Sequence, residues 1–336
     1  MIKNKINLLI NLPAGFHTAP VLKPTYARLA KIANLRKRSH NAGDEIAADL
    51  PWADAIIMWS WPFYSHALLD QAPRLKFSGH LDITQGSARI ALERGLAVSV
   101  TRRAFSPAVS EMALALILTT LRQTSTYHAQ MRVGREPWIA KFPDEIPPDE
   151  RQLTGRSVGL IGFGQVGQRL GELLAPFHCK LRVYDPFVPE DIVAKFGAER
   201  VELKKLIRES EVVVLCAASN PGSRHLLGKS EINAFRKSAV FINVARAALV
   251  DTPSLIARLK KRDMYAALDV FDKEPLDKNS PLRKLPNAFL TPHRAGGVLE
   301  SVQRIVSMLA DDLEAHLAGK PRAYALHEKM IPALDA

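Results

Sequence analysis

The chain is poor in the residues that build metal centres or disulfide scaffolds. Its 336 residues hold two cysteines, Cys179 and Cys216, at no metal-ligand spacing, and no His-Glu-x-x-His motif occurs. No metal is therefore expected, Cys216 reads as a buried core thiol, and so few cysteines suit a reducing, cytoplasmic location. Long apolar runs are missing too. No stretch approaches the ~18 residues of a membrane span. The first apolar run, 6–12, is short and broken by Asn7 and Asn11, which makes it a strand rather than a signal peptide. Acids are scarce against 46 Lys and Arg: 34 Asp and Glu leave a net charge of +12. The shortage is local. Residues 23–40 carry Lys23, Arg28, Lys31, Arg36, Lys37 and Arg38 with no acid among them. Without interleaved aromatics or a helix-turn-helix pattern, that segment reads as a solvated helix face and loop, so a nucleic-acid partner is not expected.

What is present is an α/β pattern long enough for two domains. Its centre is 157–185. The apolar run 158–161 reads as a buried parallel strand and runs into Gly162-Phe163-Gly164-Gln165-Val166-Gly167. A helical pattern follows, then a second strand, 181–184, closed by Asp185. This is the dinucleotide-binding fingerprint with strand, turn, helix, strand and acid in order. Gly162 permits the tight turn, Gly164 the approach of a pyrophosphate, and Gly167 close helix–strand packing. The pyrophosphate would rest on the helix N-terminus. Asp185 would accept from a ribose 2′-hydroxyl and repel a 2′-phosphate, so NAD(H) is expected over NADP.

Before the fingerprint, strands are predicted at 6–10, 55–59, 75–78 and 97–100, with helices at 24–33 and 63–71, which gives a small α/β domain. Ser106-Pro107 marks the start of a helix to about 122. It is apolar nearly all round, hence buried, between two domains. Residues 141–150 form a Pro- and acid-rich surface loop. Further strands are predicted at 212–216, 239–242, 265–268 and 288–290, completing a six-stranded doubly wound sheet. A final amphipathic helix, 298–317, returns to the first domain.

Three polar groups stand just past late strands, where such a sheet places its ligands. Arg246 follows a strand, Glu274 lies in Asp269-Val270-Phe271-Asp272-Lys273-Glu274-Pro275, and His293 lies in Thr291-Pro292-His293. An arginine can clamp a carboxylate and polarise the adjacent carbonyl. A histidine can move the hydroxyl proton, and a carboxylate can orient the imidazole and favour its charged form.

These motifs, with Leu153-Thr154-Gly155, Tyr184-Asp185-Pro186 and Asn243-Val244-Ala245-Arg246, resemble the D-isomer-specific 2-hydroxyacid dehydrogenases over roughly residues 70–320. The resemblance implies a Rossmann NAD-binding domain, 106–295, inserted in a smaller flavodoxin-like substrate domain made of 1–105 and 296–336. It implies Arg246 as substrate arginine, Glu274 as the glutamate that raises the histidine's pKa, and His293 as acid/base. Val244 and Ala245 would line the cofactor, Asp269 would contact the nicotinamide amide, and the protein would be a homodimer. Glu274 stands where formate-oxidising relatives carry glutamine. The activity implied is NADH-dependent interconversion of a small 2-keto acid and a D-2-hydroxy acid, of the glyoxylate or hydroxypyruvate type. An NAD(H)-sensing binding protein, or the same chemistry on an inorganic oxyanion, are the alternatives.

The family's glycine-rich substrate loop has no close counterpart: residues 78–84 read SGHLDIT, placing Gly79, His80 and Leu81 where the substrate carboxylate would bind. Arg102, Arg103 and Arg294 are extra cations in segments that border the cleft by resemblance; they are either surface arginines satisfied by water or neighbouring acids, or selectors of a second anionic group on the substrate.

Overall fold

A computed structural model describes residues 5–40, 43–61 and 64–333, so position 63, the start of one expected helix, lies outside them. The chain divides into two compact units, residues 1–105 with 298–336, and residues 106–297.

The first unit is a five-stranded parallel sheet of β1 (Ile6–Asn11), β2 (Ala33–Arg38), β3 (Ala55–Trp61), β4 (Phe77–Ile83) and β5 (Ala97–Val100). Its order, β2-β1-β3-β4-β5, is that of the flavodoxin-like sheet. Alternation sorts the core into two faces. Leu8, Ile10, Ile57 and Phe77 pack with Ile305, Val306 and Leu309 of the helix Leu299–Leu317, and Leu9, Ile56, Met58 and Val98 pack on the other side.

Two segments differ from the sequence expectation. The basic stretch is a helix, Lys23–Ile32, followed by β2, not a helix and loop. Strand β2 sits at the sheet edge, where charge discourages pairing with another chain. Its cations are also met by the fold: Arg36 and Arg38 reach the buried Asp49 at 2.7 and 2.8 Å, and Arg28 reaches Asp311 at 2.6 Å. The second difference is β4. The expected loop at 78–84 is a strand through Ile83, hydrogen-bonded to β3 on one side and β5 on the other.

The second unit is a seven-stranded parallel sheet of β6 (Ser157–Ile161), β7 (Lys180–Tyr184), β8 (Glu199–Arg200), β9 (Val212–Leu215), β10 (Ala239–Asn243), β11 (Met264–Leu268) and β12 (Ala288–Leu290). The order β12-β11-β10-β9-β6-β7-β8 is doubly wound, with the reversal between β6 and β9. Six of these strands match the predicted ones. The seventh, β8, has two residues, too few to leave a periodic signal. Close packing fixes Gly159 in β6, where a Cβ would lie 2.4 Å from Leu206 and 2.6 Å from Ser210 Oγ.

The helix Ser106–Leu121 buries Ala113, Leu116, Ile117 and Leu121 in the core of this unit. Contrary to the expectation that no such run exists, residues 102–121 are long and apolar enough to cross a membrane by length and composition.

Candidate active site

Every residue of the fingerprint sits past the carboxyl end of β6 or β7. Gly162 takes φ +89°, and a Cβ there would fall 2.4 Å from the Ala217 Cα, so backbone alone demands glycine. At Gly167 a Cβ would meet the Gly162 carbonyl oxygen at 2.5 Å. Gly164 is different. It is exposed, its φ is −72°, and nothing lies within 4 Å of a Cβ built on it. The protein does not need a glycine there. An incoming group that must approach the backbone does. Gly164 is the N-cap of the ten-residue helix Gln165–Leu174, whose first-turn N–H groups lack intrahelical acceptors. The cradle therefore fits the pyrophosphate of a dinucleotide.

Phe163 contributes to the protein interior instead of lining that cradle. Its ring is fully buried edge-on to Phe196, at 5.1 Å between centroids, and its N–H donates to Asp185 Oδ2 at 2.7 Å. Asp185 Oδ1 accepts from the N–H groups of Phe187 and Val188 at 2.9 and 3.1 Å. The acid thus ties the glycine turn to the loop after β7. Beneath the turn, the half-buried Cys216 donates to the Gly162 carbonyl, and burial, then the charge of Asp185, pushes its thiol up to about 12. The thiol thus braces the turn from beneath.

The catalytic candidates are placed by backbone and buried polar groups of the same sheet. Asn243, at the end of β10, accepts from the Ala245 N–H at 3.0 Å and donates to the Arg246 carbonyl at 3.3 Å. This fixes the turn on which Arg246 stands, while Val244 and Ala245 are buried. The Arg246 side chain is exposed, with one bond, to the Ala245 carbonyl at 2.8 Å. The motif Asn-x-x-Arg could have pointed to Asn243, since an asparagine two before a buried N–H is a common loop clamp.

Asp269, just past β11, is fully buried. Its carboxylate accepts from Thr291 Oγ1 at 2.6 Å and from the N–H groups of Arg294 and Ala295 at 2.9 and 2.8 Å. The structure thus gives Asp269 no surface to offer a nicotinamide amide. It uses the acid to build the turn that carries His293. That histidine has φ +52°, a left-handed conformation that costs a residue with a Cβ about 1–2 kcal/mol and that the three bonds to Asp269 hold in place. His293 Nδ1 lies 2.6 Å from Glu274 Oε2, and Glu274 Oε1 accepts from the Phe271 N–H at 3.0 Å. Burial acts to raise the Glu274 carboxyl. The hydrogen bonds from His293 and Phe271 and the charges of His293 and Arg246 outweigh it, holding the acid below its usual range. Glu274 is thus an ionised partner for the imidazole, and Nε2 is the ring nitrogen left for a substrate.

In the first unit, the expected substrate residues Gly79, His80 and Leu81 lie inside β4. A Cβ on Gly79 would come within 3.0 Å of Leu309. His80 is fully buried, its Nε2 2.5 Å from Ser78 Oγ, which is in turn 2.5 Å from Tyr64 Oη. Burial pushes the imidazole down to about 3, so it is neutral. This segment is a polar knot in the core and not a loop open to substrate. Of the extra cations, Arg102 is ion-paired with Asp82 at 2.5 Å, and Arg103 and Arg294 are exposed. Among the described residues, no cluster of His, Cys, Asp and Glu could hold a metal.

Comparison with known proteins places the chain in a family. Residues 114–295 match the family described as the NAD binding domain of D-isomer specific 2-hydroxyacid dehydrogenase. The chain belongs to that family. Its curated relatives include a glyoxylate reductase of Aeropyrum pernix, 31% identical over 261 residues, or 75% of this chain and 76% of the relative. A 2-ketogluconate reductase of Gluconobacter oxydans is 29% identical, covering 70% and 74% of the two chains. In fold, the chain resembles the D-mandelate dehydrogenase of Rhodotorula graminis with a TM-score of 0.81 at 22% identity, covering 96% of this chain and 97% of that one. The chain is thus a member of a family of NAD-dependent oxidoreductases of 2-hydroxy acids, built from two parallel α/β sheets.

Proposed function

We propose that this dehydrogenase reduces a small 2-keto acid to the D-2-hydroxy acid with NADH, with a glyoxylate- or hydroxypyruvate-type substrate. The observation that carries the reading is the 2.6 Å pair between His293 Nδ1 and Glu274, which leaves Nε2 for the reacting oxygen. The Arg246 guanidinium clamps the substrate carboxylate and polarises the adjacent carbonyl. NADH, when bound, supplies the hydride. The His293 imidazolium, favoured by the Glu274 carboxylate at Nδ1, gives the carbonyl oxygen its proton from Nε2 and is left as neutral imidazole, which takes the hydroxyl proton in the reverse direction. The cofactor is held by the turn Gly162–Gly167 and the helix behind it, and Asp185 selects NADH over NADPH. The glyoxylate reductase relatives support this substrate class. The working form is a cytoplasmic homodimer.

The test is NADH oxidation at 340 nm with glyoxylate, hydroxypyruvate, pyruvate, phenylpyruvate and oxaloacetate, with NADPH as control. Turnover that His293→Ala abolishes supports the proposal. Bound NADH without turnover of any acid in the panel would refute it.

A further inference from the structure

A cavity of about 410 Å³ opens in the second unit, against the helix Thr252–Leu259. That volume suits a small molecule. Its floor is apolar: Leu255 and Ile256 of the helix, Leu268 and Val270 at the end of β11 and just past it, and Leu276 and Leu282 of the loop beyond. The residues lining it belong neither to the glycine turn nor to the set Arg246, Glu274 and His293. It adjoins the supports of all three instead. Asn243, which fixes the Arg246 turn, lines it together with Ala247. So do Phe271, whose N–H donates to Glu274, and Lys273. Leu268 and Val270 flank Asp269, the acceptor that holds the His293 turn. Arg283 ties the loop by donating to the carbonyls of Leu276 and Asp277, both at 2.9 Å. Phe271 and Leu276 stay half-buried against the void, where they forgo dispersion contacts.

The polar groups of the lining restrict what it can take. Among the described residues, the Thr252 and Ser280 hydroxyls and the Lys273 ammonium have no hydrogen-bond or ion-pair partner in the protein. Asp272 and Asp277 line the same cavity, so one cation stands against two acids and an anionic head group is disfavoured. We infer that the cavity is an effector site for an uncharged small molecule with an apolar ring or short chain and one hydroxyl. A hydroxyl both donates and accepts, as the mixed lining requires, and the apolar body fills the void. An occupant touches the turn that carries Arg246 and the loop that carries Glu274 at once. It therefore favours the arrangement in which both are placed, and it tightens substrate by the factor by which substrate tightens it. That coupling rests on the proposed roles of Arg246 and Glu274; the binding does not.

The probe is phenol, with benzoate as its charged counterpart, titrated against the full chain by saturation-transfer NMR. Ile256→Phe fills the cavity, so binding that this variant removes is assigned to the cavity. There phenol is expected to bind at least about tenfold more tightly than benzoate. Thr252→Val keeps the side-chain shape, loses the hydroxyl and should weaken phenol roughly 3- to 10-fold. Thermal melts followed by circular dichroism show whether each variant folds. At saturating phenol, KM for the 2-keto acid should fall at least about fivefold in wild type and not in Ile256→Phe. Phenol binding unchanged in both variants overturns the inference, as does benzoate bound in the cavity as tightly as phenol. So does phenol that binds there without changing KM, or a self-association of wild type that Ile256→Phe abolishes, which would make a second copy the occupant. If no 2-keto acid turns over, the proposed function fails by itself. Phenol bound by wild type and not by Ile256→Phe then still supports the site, and no binding overturns it.

Discussion

The three glycines of the turn are required for two different reasons, and alanine substitutions separate them. At Gly162 a Cβ would sit 2.4 Å from one backbone atom of Ala217 and 2.5 Å from another, with φ at +89°. A left-handed alanine costs about 1–2 kcal/mol and forced overpacking about 1–3 more. Gly162→Ala should therefore lose roughly 2–5 kcal/mol of stability. No side chain can swing aside, because the obstacle is backbone. Gly164→Ala meets nothing within 4 Å and takes an ordinary φ, so its stability should stay within about 0.5 kcal/mol of wild type. Its effect should fall on ligand alone. The added methyl holds a pyrophosphate away from the helix N-terminus, and losing one charge-assisted hydrogen bond costs about 1.5–3 kcal/mol. That is a rise in the NADH dissociation constant of roughly 10- to 100-fold. Urea denaturation and NADH fluorescence titration on the same two variants give both quantities. Gly164→Ala that is stable and binds NADH within twofold of wild type would refute the assignment of this turn as the pyrophosphate cradle.

Other substitutions test the catalytic groups and the core. Asp269→Ala leaves a hydroxyl and two N–H groups without their buried acceptor, so it should destabilise by several kcal/mol at roughly 1–3 for each; a melting temperature within a degree or two of wild type would show that the His293 turn does not depend on it. Arg246→Lys keeps the charge but loses the two-point clamp, so KM for the 2-keto acid should rise at least about tenfold while the NADH dissociation constant stays put. The fully buried His80 is neutral when folded, with its imidazole pushed down to about 3, whereas the unfolded chain takes up a proton below about 6.5. Its contribution is intact above that pH and is lost as the pH falls towards 3, by about 1.4 kcal/mol per unit. Urea midpoints at pH 7 and pH 5 should thus drop further for wild type than for His80→Gln, and parallel drops would count against the argument.

The parts of this molecule that were legible in its sequence are those whose causes are local. Strand β6, the glycine turn and its helix are contiguous, so period, glycine spacing and terminal acid could be read together. Arg246, Glu274 and His293 each follow a strand within a few residues, and position relative to a strand end is a sequence property. What could not be read was set by partners far along the chain. Strand β2 is charged at three of its six residues, Arg36, Lys37 and Arg38, and the Asp49 carboxylate that pairs with two of them comes from another segment. Strand β4 contains glycine, histidine and aspartate, which suggest a loop, yet pairing on both edges and the knot with Tyr64 hold it extended. The resemblance implied a cofactor contact for Asp269; in the fold its buried carboxylate accepts from Thr291, Arg294 and Ala295. The same logic bears on Asp185. Its backbone bonds make it part of the turn's architecture as well as the proposed selector of the ribose, so a change there alters both. A cofactor switch attempted by mutating Asp185 alone would therefore loosen the cradle it is meant to retune.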